Sequence, residues 1–397
     1  MIKILLITHS ANITGGAEDD FHRIILSLSR SHQNELTVLC PDGHRFKEYS
    51  ELSNYSYKYK SGWFPVVKEK IYGYLKYILI GIIQSVQIYR ILSGKKYDIA
   101  VFNVSVLLIP LIIVKLKKIP SIVFIRETIT PLKLRKFYYK IISKLGNHFI
   151  GVSKYNSIDF SQLTKNNSVS TLYSSIEDIS EHVKDDDNLF CRLIQHDAYT
   201  ELTNPDNFRI LLNGNICKRK NQLFALSVMD YLVNYLKYLD IKLFLAGDSN
   251  GELTYTDLLN KFIKDKKLSN YVFILGSMKK SSIYKLYEYT DIMLITSLSE
   301  GMPLVLVESF AYKKPLISTN VGGVKEIIEN SVNGIMLNEF DKNELANSIL
   351  KLKNNVEFYN KISSNCYHTY QVSFNLEDNM NNLKNNINNI IHQNNKQ

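Results

Sequence analysis

The first 40 residues, MIKILLITHSANITGGAEDDFHRIILSLSRSHQNELTVLC, contain a complete strand–helix–strand unit. Residues 2–8 form a short apolar run rich in β-branched side chains and predict a strand, which is followed by the turn signal Thr14-Gly15-Gly16. Apolar residues then recur at helical spacing over 21–31, and residues 36–40 predict a second strand. Such a βαβ unit indicates a parallel sheet with a right-handed crossover.

The same alternation continues along the chain in two series. Residues 179–207 lack periodicity and are rich in Asp, Asn and Thr, which indicates a domain boundary between the two series. The predicted strands are 98–102, 121–125 and 148–152 before this boundary, and 209–213, 242–246, 272–275, 292–296, 316–318 and 334–337 after it. We therefore predict an α/β protein with two doubly wound, Rossmann-like domains, at 1–190 and 205–370.

The C-terminal segment 371–397 has the composition of a disordered tail, because it contains ten Asn residues. Its apolar residues nevertheless follow a 4-3-4-3 spacing, which is one face of a helix: Leu376, Met380, Leu383, Ile387 and Ile390. We predict a terminal helix that docks through this face.

Positive charge is concentrated in one region. The chain carries a formal net charge of +10, and residues 58–144 contain 17 Lys and Arg against three acids. Aromatic residues are interleaved with these cations: Trp63, Phe64, Tyr72, Tyr74, Tyr77, Phe137, Tyr138 and Tyr139. We predict reversible docking of segment 58–144 on an anionic membrane surface; the alternatives are an anionic substrate and a solvated Lys-rich surface. No nucleic-acid-binding motif occurs, so no nucleic-acid partner is predicted.

Several protein classes are disfavoured by the remaining composition. None of the four cysteines forms a CxxC pair and the histidines show no ligand spacing, so neither a disulfide framework nor a metal site is predicted. No uncharged run reaches the roughly 20 residues of a spanning helix. We expect a cytoplasmic protein, peripheral on the inner face of the membrane if the basic segment docks there.

The strongest chemical signal is the segment 299–308, SEGMPLVLVE, which follows the predicted strand 292–296. Pro303 suits the first position of a helix, which places Glu300 in the preceding loop and Glu308 inside the helix. A helix start at the carboxyl end of a parallel sheet binds phosphate oxygens, and carboxylates accept hydrogen bonds from sugar hydroxyls. The E-x7-E spacing alone is more often no more than a loop acid before a capped helix.

Motifs on either side of this segment add the context. Their order resembles family 4 of the retaining nucleotide-sugar glycosyltransferases, which have the GT-B fold with two domains facing a central cleft. The matching motifs are Gly15-Gly16-Ala17-Glu18, Asn213-Gly214-Asn215, Lys218-Arg219-Lys220-Asn221, Gly247-Asp248, Leu275-Gly276 and Asn320-Val321-Gly322-Gly323. The resemblance is dense from residue 209 to 337 and weaker over residues 1–40. It also implies that the C-terminal helix, 371–397, crosses back to the N-terminal domain.

The resemblance implies roles for individual residues. Glu308 resembles the Glu that binds the ribose of the donor nucleotide, Glu300 the Glu beside the donor sugar, and Lys220 the Lys on the donor phosphates. We take Glu300 and Lys220 as catalytic candidates on this basis. Arg126 is the third candidate, because it stands where the family commonly has a His. The further donor-binding candidates are Gly15, Gly16, Arg219, Gly276, Gly301, Met302, Pro303, Leu304 and Glu308.

The leaving diphosphate of such a donor needs positive charge as the glycosidic bond breaks. Lys220 and the helix beginning near Pro303 supply positive charge at the places that the resemblance implies for the diphosphate, so we predict a metal-independent reaction without a cofactor. The family usually has an Arg where this chain has Asn215. Either Lys218 or Arg219 could supply the missing charge.

We predict a retaining, hexosyltransferase-type glycosyltransferase. It would move a sugar from a nucleoside-diphosphate-sugar donor to a saccharide or lipid-linked saccharide acceptor in cell-surface polysaccharide synthesis. The alternatives are another GT-B activity, such as an epimerase, and a non-catalytic nucleotide-sugar-binding subunit. The donor base, the sugar, the acceptor and the oligomeric state are not predicted.

Overall fold

A computed structural model describes residues 1–11, 16–60, 71–176, 196–249 and 252–394 of the chain, with the backbone alone for 71–76. These residues form two compact units. The first unit comprises Met1–Ser175 and Leu376–Gln397, and the second comprises Ile176–Asn375.

The first unit contains a seven-stranded parallel sheet in the order β3-β2-β1-β4-β5-β6-β7. Its strands are β1 (Ile2–Ile7), β2 (Asn34–Cys40), β3 (Tyr55–Lys58), β4 (Ile99–Phe102), β5 (Ser121–Ile125), β6 (His148–Gly151) and β7 (Val169–Thr171). Central strands such as β4 and β5 are buried along their whole length, which explains their unbroken apolar sequences. The edge strands β3 and β7 were missed in the sequence because they are short and only partly buried.

The helices of the first unit connect successive strands. They are α1 (Gly16–Ser29), α2 (Phe46–Glu51), α3 (Ile71–Leu92), α4 (Leu108–Leu116), α5 (Leu132–Ile142) and α6 (Lys154–Thr164). One core cluster contains Ile88 of α3, Leu111 of α4 and Tyr138 of α5 together with residues of β1, β4 and β5. Tyr138 and its neighbour Tyr139 are therefore buried on the inner side of α5 and are not interfacial aromatics.

The second unit contains a six-stranded parallel sheet in the order β10-β9-β8-β11-β12-β13. Its strands are β8 (Phe208–Asn213), β9 (Ile241–Ala246), β10 (Val272–Gly276), β11 (Ile292–Ile295), β12 (Leu316–Thr319) and β13 (Ile335–Leu337). The strand order reverses between β8 and β11, and ligands of doubly wound folds bind beside such a reversal.

One helix of the second unit precedes its first strand, and the others follow its strands. The helices are α7 (His196–Thr203), α8 (Gln222–Asp230), α9 (Leu253–Asp265), α10 (Lys280–Tyr289), α11 (Leu304–Ala311), α12 (Val324–Ile327), α13 (Lys342–Asn354) and α14 (Val356–Ser373). A short 3₁₀ turn, Lys218–Lys220, precedes α8. The two-domain, doubly wound α/β class predicted from the sequence is confirmed.

The C-terminal helix α15 (Leu376–Asn394) is grouped with the first unit. It buries Met380, Leu383, Ile387 and Ile390, and Asn379 Nδ2 donates a hydrogen bond to the Tyr173 carbonyl at 3.2 Å. Among the helices within the described ranges, none combines the length and the apolar character that crossing a bilayer requires.

Candidate functional site

The loops that follow β8, β11 and β12 share one edge of the second unit's sheet, because these strands are neighbours and parallel. The loop after β8 carries the Lys218–Lys220 turn, and the loop after β11 carries Glu300. Hydrogen bonds join the two loops: Leu298 N–H donates to the Arg219 carbonyl at 2.8 Å, and the Thr296 hydroxyl donates to the Lys220 carbonyl at 2.9 Å. The predicted site residues of these loops therefore lie together.

Glu300 is the centre of this site and is buried. Lys220 Nζ donates to Glu300 Oε1 at 2.7 Å, and Arg219 Nη1 donates to Glu300 Oε2 at 2.9 Å. The Ser297 hydroxyl donates to Oε1 at 2.6 Å. The side chain of Lys220 is 14% exposed and that of Arg219 is 50% exposed, so Arg219 is the cation that is open to solvent.

The charge state of Glu300 follows from these contacts. Burial alone would raise its pKa, but the charges of Lys220 and Arg219, with the hydrogen bonds from Lys220 and Ser297, lower the pKa to about 2. Glu300 is therefore a carboxylate at neutral pH, and the three charged side chains together carry a net charge of +1. The site can attract an anion while holding one acceptor carboxylate.

Two glycines allow the close approach of these loops. A Cβ on Gly214, which has φ +149°, would lie 3.2 Å from Cε of Lys220. A Cβ on Gly322, at φ +50°, would lie 1.9 Å from the Glu300 carbonyl oxygen, where the Gly323 N–H donates to the Gly301 carbonyl at 2.7 Å. The Gly322-Gly323 turn therefore supports the backbone of the Glu300 loop from the β12 side.

Glu308 belongs to a second hydrogen-bond network, inside α11. The hydroxyl of Tyr287, a fully buried residue of α10, donates to Glu308 Oε2 at 2.7 Å. Asn213 Nδ2, at the end of β8, donates to the Tyr287 hydroxyl at 3.0 Å. Burial and the charge of Glu308 keep the pKa of Tyr287 well above its ordinary value, so this hydroxyl remains a donor.

The other predicted residues of the second unit lie around these two networks. Pro303 is the N-cap of α11 and Leu304 its first residue, as expected for a helix start that follows the Glu300 loop. Met302 is buried, and Gly276 ends β10 with φ +72°. The sequence did not identify Tyr287, Asn213 or Ser297 as site residues, although Asn213 lies in one of the matching motifs, at the end of β8, and Ser297 follows β11 closely.

Arg126 lies in the first unit, after β5, and its side chain is 7% exposed. Its Nη1 donates to Asp20 Oδ2 at 2.6 Å and its Nε to the Asn103 carbonyl at 2.8 Å. The Ser174 hydroxyl also donates to Asp20 Oδ2, at 3.0 Å. The structure thus uses Arg126 to join the ends of β4 and β5 to α1, and its catalytic role stays a prediction.

The loop between β1 and α1 was predicted to approach the donor diphosphate. Gly16 is the first residue of α1, whereas Gly15 lies outside the described residues. Beside this helix start, His9 Nε2 lies 3.2 Å from Glu18 Oε1. Burial raises the pKa of Glu18 to about 7, and burial with the charge of Arg126 lowers the pKa of His9 to about 4. Both shifts favour the neutral form of the side chain.

No group of three or more His, Cys, Asp or Glu side chains suited to holding a metal ion occurs within the described ranges. Metal independence stays a prediction, which rests on the cations around Glu300.

Comparisons with known proteins identify the second unit more closely than the first. Residues 198–369 match the family model described as "Glycosyl transferases group 1". An uncharacterized glycosyltransferase of Methanocaldococcus jannaschii is 31% identical over 137 residues, which cover 34% of this chain and 38% of that protein. The UDP-Gal:alpha-D-GlcNAc-diphosphoundecaprenol alpha-1,3-galactosyltransferase of Escherichia coli is 24% identical over 179 residues, 45% of either chain. The aligned part of the chain thus spans less than half the length of these relatives.

The whole chain has a counterpart among solved structures. The structure of HepE from Anabaena in complex with UDP-glucose covers 98% of this chain and 100% of its own, with a TM-score of 0.78 and 18% identity. At this identity the likeness concerns the fold. The resemblance drawn from the sequence is confirmed at the level of a glycosyltransferase, by the family model over residues 198–369, and of the two-domain GT-B fold, by the structural match over the chain.

Proposed function

We propose that the chain is a retaining glycosyltransferase. It transfers a hexosyl group from a nucleoside-diphosphate-sugar to a saccharide or lipid-linked saccharide acceptor, at the cytoplasmic face of the membrane, in cell-surface polysaccharide synthesis. The observation that carries this proposal is the cluster of Lys220 and Arg219 on the buried carboxylate of Glu300, at the strand-order reversal of a doubly wound sheet.

The cations of this cluster suit the leaving group of the reaction. When the bond between the anomeric carbon and the diphosphate breaks, negative charge develops on the diphosphate oxygens. Lys220, Arg219 and the first N–H groups of α11 are the donors that would stabilise that charge. Because Arg219 is half exposed, its guanidinium can bind a phosphate while Nη1 holds Glu300.

Glu300 acts in this proposal as a permanent carboxylate. A carboxyl group with a pKa of about 2 is not a proton donor at neutral pH, so Glu300 does not protonate the leaving group. It instead orients Lys220 and stabilises positive charge that develops at the anomeric carbon, or accepts a hydrogen bond from a sugar hydroxyl. Glu308, held through Oε2 by Tyr287, accepts hydrogen bonds from the ribose through Oε1.

We also propose that turnover requires no metal ion, because Lys220 and Arg219 supply the charge that a divalent cation would otherwise bring to the diphosphate. Activity should survive dialysis against EDTA. Loss of turnover on chelation, with recovery on adding Mg²⁺ or Mn²⁺, would contradict this part of the proposal.

We infer the donor and acceptor classes from a relative and from a solved structure of similar fold. The E. coli relative is named for UDP-galactose and a diphosphoundecaprenol-linked sugar, and the HepE structure contains UDP-glucose. UDP-hexoses and polyprenyl-diphosphate-linked saccharides are therefore the first substrates to test.

The deciding experiment measures release of nucleoside diphosphate from a panel of nucleotide sugars, with and without acceptor, for the wild-type chain and Lys220→Ala. We expect turnover of at least one donor, its loss in the variant, and a product whose anomeric configuration, read by NMR, matches the donor. Binding of a nucleoside diphosphate without turnover of any donor, in the presence of the acceptors, would indicate a binding subunit instead. An inverted anomeric centre would contradict the retaining mechanism alone.

A further inference from the structure

Helix α3 turns its more apolar side outward. Its inner side contributes Gly81, Gln84, Ile88 and Leu92 to the interior of the first unit. The residues on the opposite side are exposed, with Leu79 at 65% and Ile82 at 60%, and they define the outer face of α3: Ile78, Leu79, Ile82, Ile83, Val86 and Tyr89. At 100° per residue these six positions fall within an arc of about 140°, and they extend along about 17 Å of helix.

This distribution is the reverse of that in an ordinary surface helix, where the apolar stripe faces the core and polar residues face water. Scattered exposed apolar residues are common, whereas a contiguous row on one helix marks a surface that binds something. We therefore expect the outer face of α3 to bind an apolar partner.

Cations surround this face. The C-terminal turn of α4, which packs beside α3, exposes Leu116 at 73% together with Lys115. Lys118, just after the helix, is also exposed, and Lys117 Nζ lies 4.0 Å from the centre of the Tyr89 ring. Arg90 is exposed next to Tyr89, and residues 71–97 contain no Asp or Glu. Exposed Phe137 on α5 is likewise flanked by exposed Lys133, Lys136 and Lys140.

Helices α3, α4 and α5 lie on the same side of the sheet, because each belongs to a crossover that runs in the same direction along it. Their inner residues share one core cluster, in agreement with this placement. The exposed apolar row and its cations therefore belong to one side of the first unit.

We propose that the outer face of α3 docks in the interface of an anionic lipid bilayer, with the lysines of α4 and α5 on the lipid headgroups. An apolar helix face rimmed by cations, on a helix that does not span, is the arrangement of a helix lying in the bilayer plane. Aromatic residues beside lysines suit the headgroup level, and each cation near an anionic surface strengthens binding. The sequence predicted membrane docking of the whole segment 58–144, whereas this proposal assigns the apolar contact to six side chains of α3. Two aromatic residues of that prediction, Trp63 and Phe64, lie outside the described residues.

The other occupant of an apolar helix face would be a second copy of the chain. In a two-fold dimer each patch meets the same patch of the partner. Arg90 and the lysines of α4 would then face their own copies, and this repulsion favours the anionic bilayer.

The test uses the full chain and two kinds of vesicle, phosphatidylglycerol-containing and pure phosphatidylcholine, sedimented at low and high salt. The apolar variant is Leu79→Gln/Ile82→Gln/Val86→Gln, with the matched control Leu253→Gln/Val356→Gln/Val372→Gln, which replaces three exposed apolar residues of the second unit. The charge variant is Lys115→Gln/Lys118→Gln, and its control is Lys261→Gln/Lys264→Gln on α9. Thermal melting verifies the fold of each variant.

We expect wild type to sediment with the anionic vesicles at low salt and to be released at high salt. The charge variant should bind at least about tenfold more weakly and the apolar variant should lose binding, while both controls bind like wild type. Wild type that stays in the supernatant with anionic vesicles, or an apolar variant that binds like wild type, overturns the proposal. So does a wild-type dimer, by light scattering, that the apolar variant converts to a monomer.

The proposal is independent of the glycosyltransferase reaction. Donor hydrolysis without lipid is measured on the same variants and should be unchanged, since none of the substituted residues belongs to the site around Glu300. Failure of vesicle binding and failure of turnover are thus separate results.

Discussion

The buried hydroxyl of Tyr287 donates a 2.7 Å hydrogen bond to Glu308 Oε2, and so connects α10 to the carboxylate that the family resemblance assigns to the donor ribose. The same hydroxyl accepts from Asn213 Nδ2 at the end of β8. A hydrogen bond to one oxygen restricts the rotation of the carboxylate, which favours one position of the other oxygen before any ligand arrives. Tyr287 is therefore a positioning residue of the proposed site.

Replacing Tyr287 by Phe should weaken nucleoside-diphosphate binding by about tenfold, because the orientation of Glu308 is lost and its buried oxygen loses a donor. Isothermal titration calorimetry measures the binding. The matched control is Tyr312→Phe: its ring stacks on Tyr287 at 5.1 Å, and its buried hydroxyl has no hydrogen-bond partner among the described residues. Equal affinity in Tyr287→Phe and wild type would remove the positioning role.

Lys220→Ala should lower kcat for the transferred sugar by roughly 10²–10³, since it removes the least exposed cation of the leaving-group site. The neighbouring Lys218 serves as the control, because its side chain is exposed in the same turn. Lys218→Ala should keep wild-type kcat in steady-state assays with the best donor. Comparable losses in both variants would indicate a general effect of the turn rather than the contact with Glu300.

Arg219, rather than Lys218, should replace the Arg that the family has at the position of Asn215, because Arg219 Nη1 contacts Glu300. Arg219→Asn should reduce kcat/KM by at least about tenfold, and Asn215→Arg added to this variant should restore part of the loss. Restored activity in the double variant would also show that the loss in Arg219→Asn is not caused by misfolding. If Asn215→Arg restores nothing, the two positions do not serve the same phosphate.

Gly322→Ala should abolish most of the turnover, because the new Cβ would lie 1.9 Å from the Glu300 carbonyl oxygen and displace the catalytic loop. Gly94→Ala is the matched control: Gly94 also has positive φ, at +72°, but nothing lies within 4 Å of its Cβ. The control should show only the backbone cost of about 1–2 kcal/mol in urea unfolding, with full activity. An active Gly322→Ala protein would mean that this turn does not support the loop.

The buried carboxyl of Glu18 should make stability depend on pH. Its pKa is raised from 4.5 to about 7 in the folded chain, so the folded state holds a proton that the unfolded state releases. The associated stability is present below about pH 4.5 and is lost as the pH rises through 7. Glu18→Gln keeps the neutral form, so the free energy of unfolding of wild type relative to this variant should fall by about 2–3 kcal/mol between pH 5 and pH 8.

Urea unfolding at both pH values measures this difference. The signals of His9 report the same site by NMR, since a pKa near 4 keeps its imidazole neutral down to about pH 5. A wild-type-to-variant difference that does not change with pH would contradict the raised pKa of Glu18.

The fold class could be predicted from the sequence because it depends on patterns within short segments. Strands buried on both faces must be unbroken apolar runs, as in β4 and β5, and the helices between them must be amphipathic, so two series of βα units are visible without coordinates. Glu300 and Glu308 could be selected in the same way, since both positions are set by a strand end and a helix start a few residues apart in one segment.

Other features depended on residues far apart in the chain. The contact of Arg219 rather than Lys218 with Glu300 depends on which way a three-residue 3₁₀ turn faces, and Tyr287 reaches Glu308 from a different helix. The contact of Arg126 with Asp20 joins residues 106 positions apart, so no local pattern in the sequence indicates it. The sequence of α3 is apolar on nearly every side, so its periodicity cannot tell which side is buried. Only the packing of Ile88 and Leu92 on the sheet shows that the row from Ile78 to Tyr89 faces outward, because burial is a property of the neighbours that a helix acquires on folding.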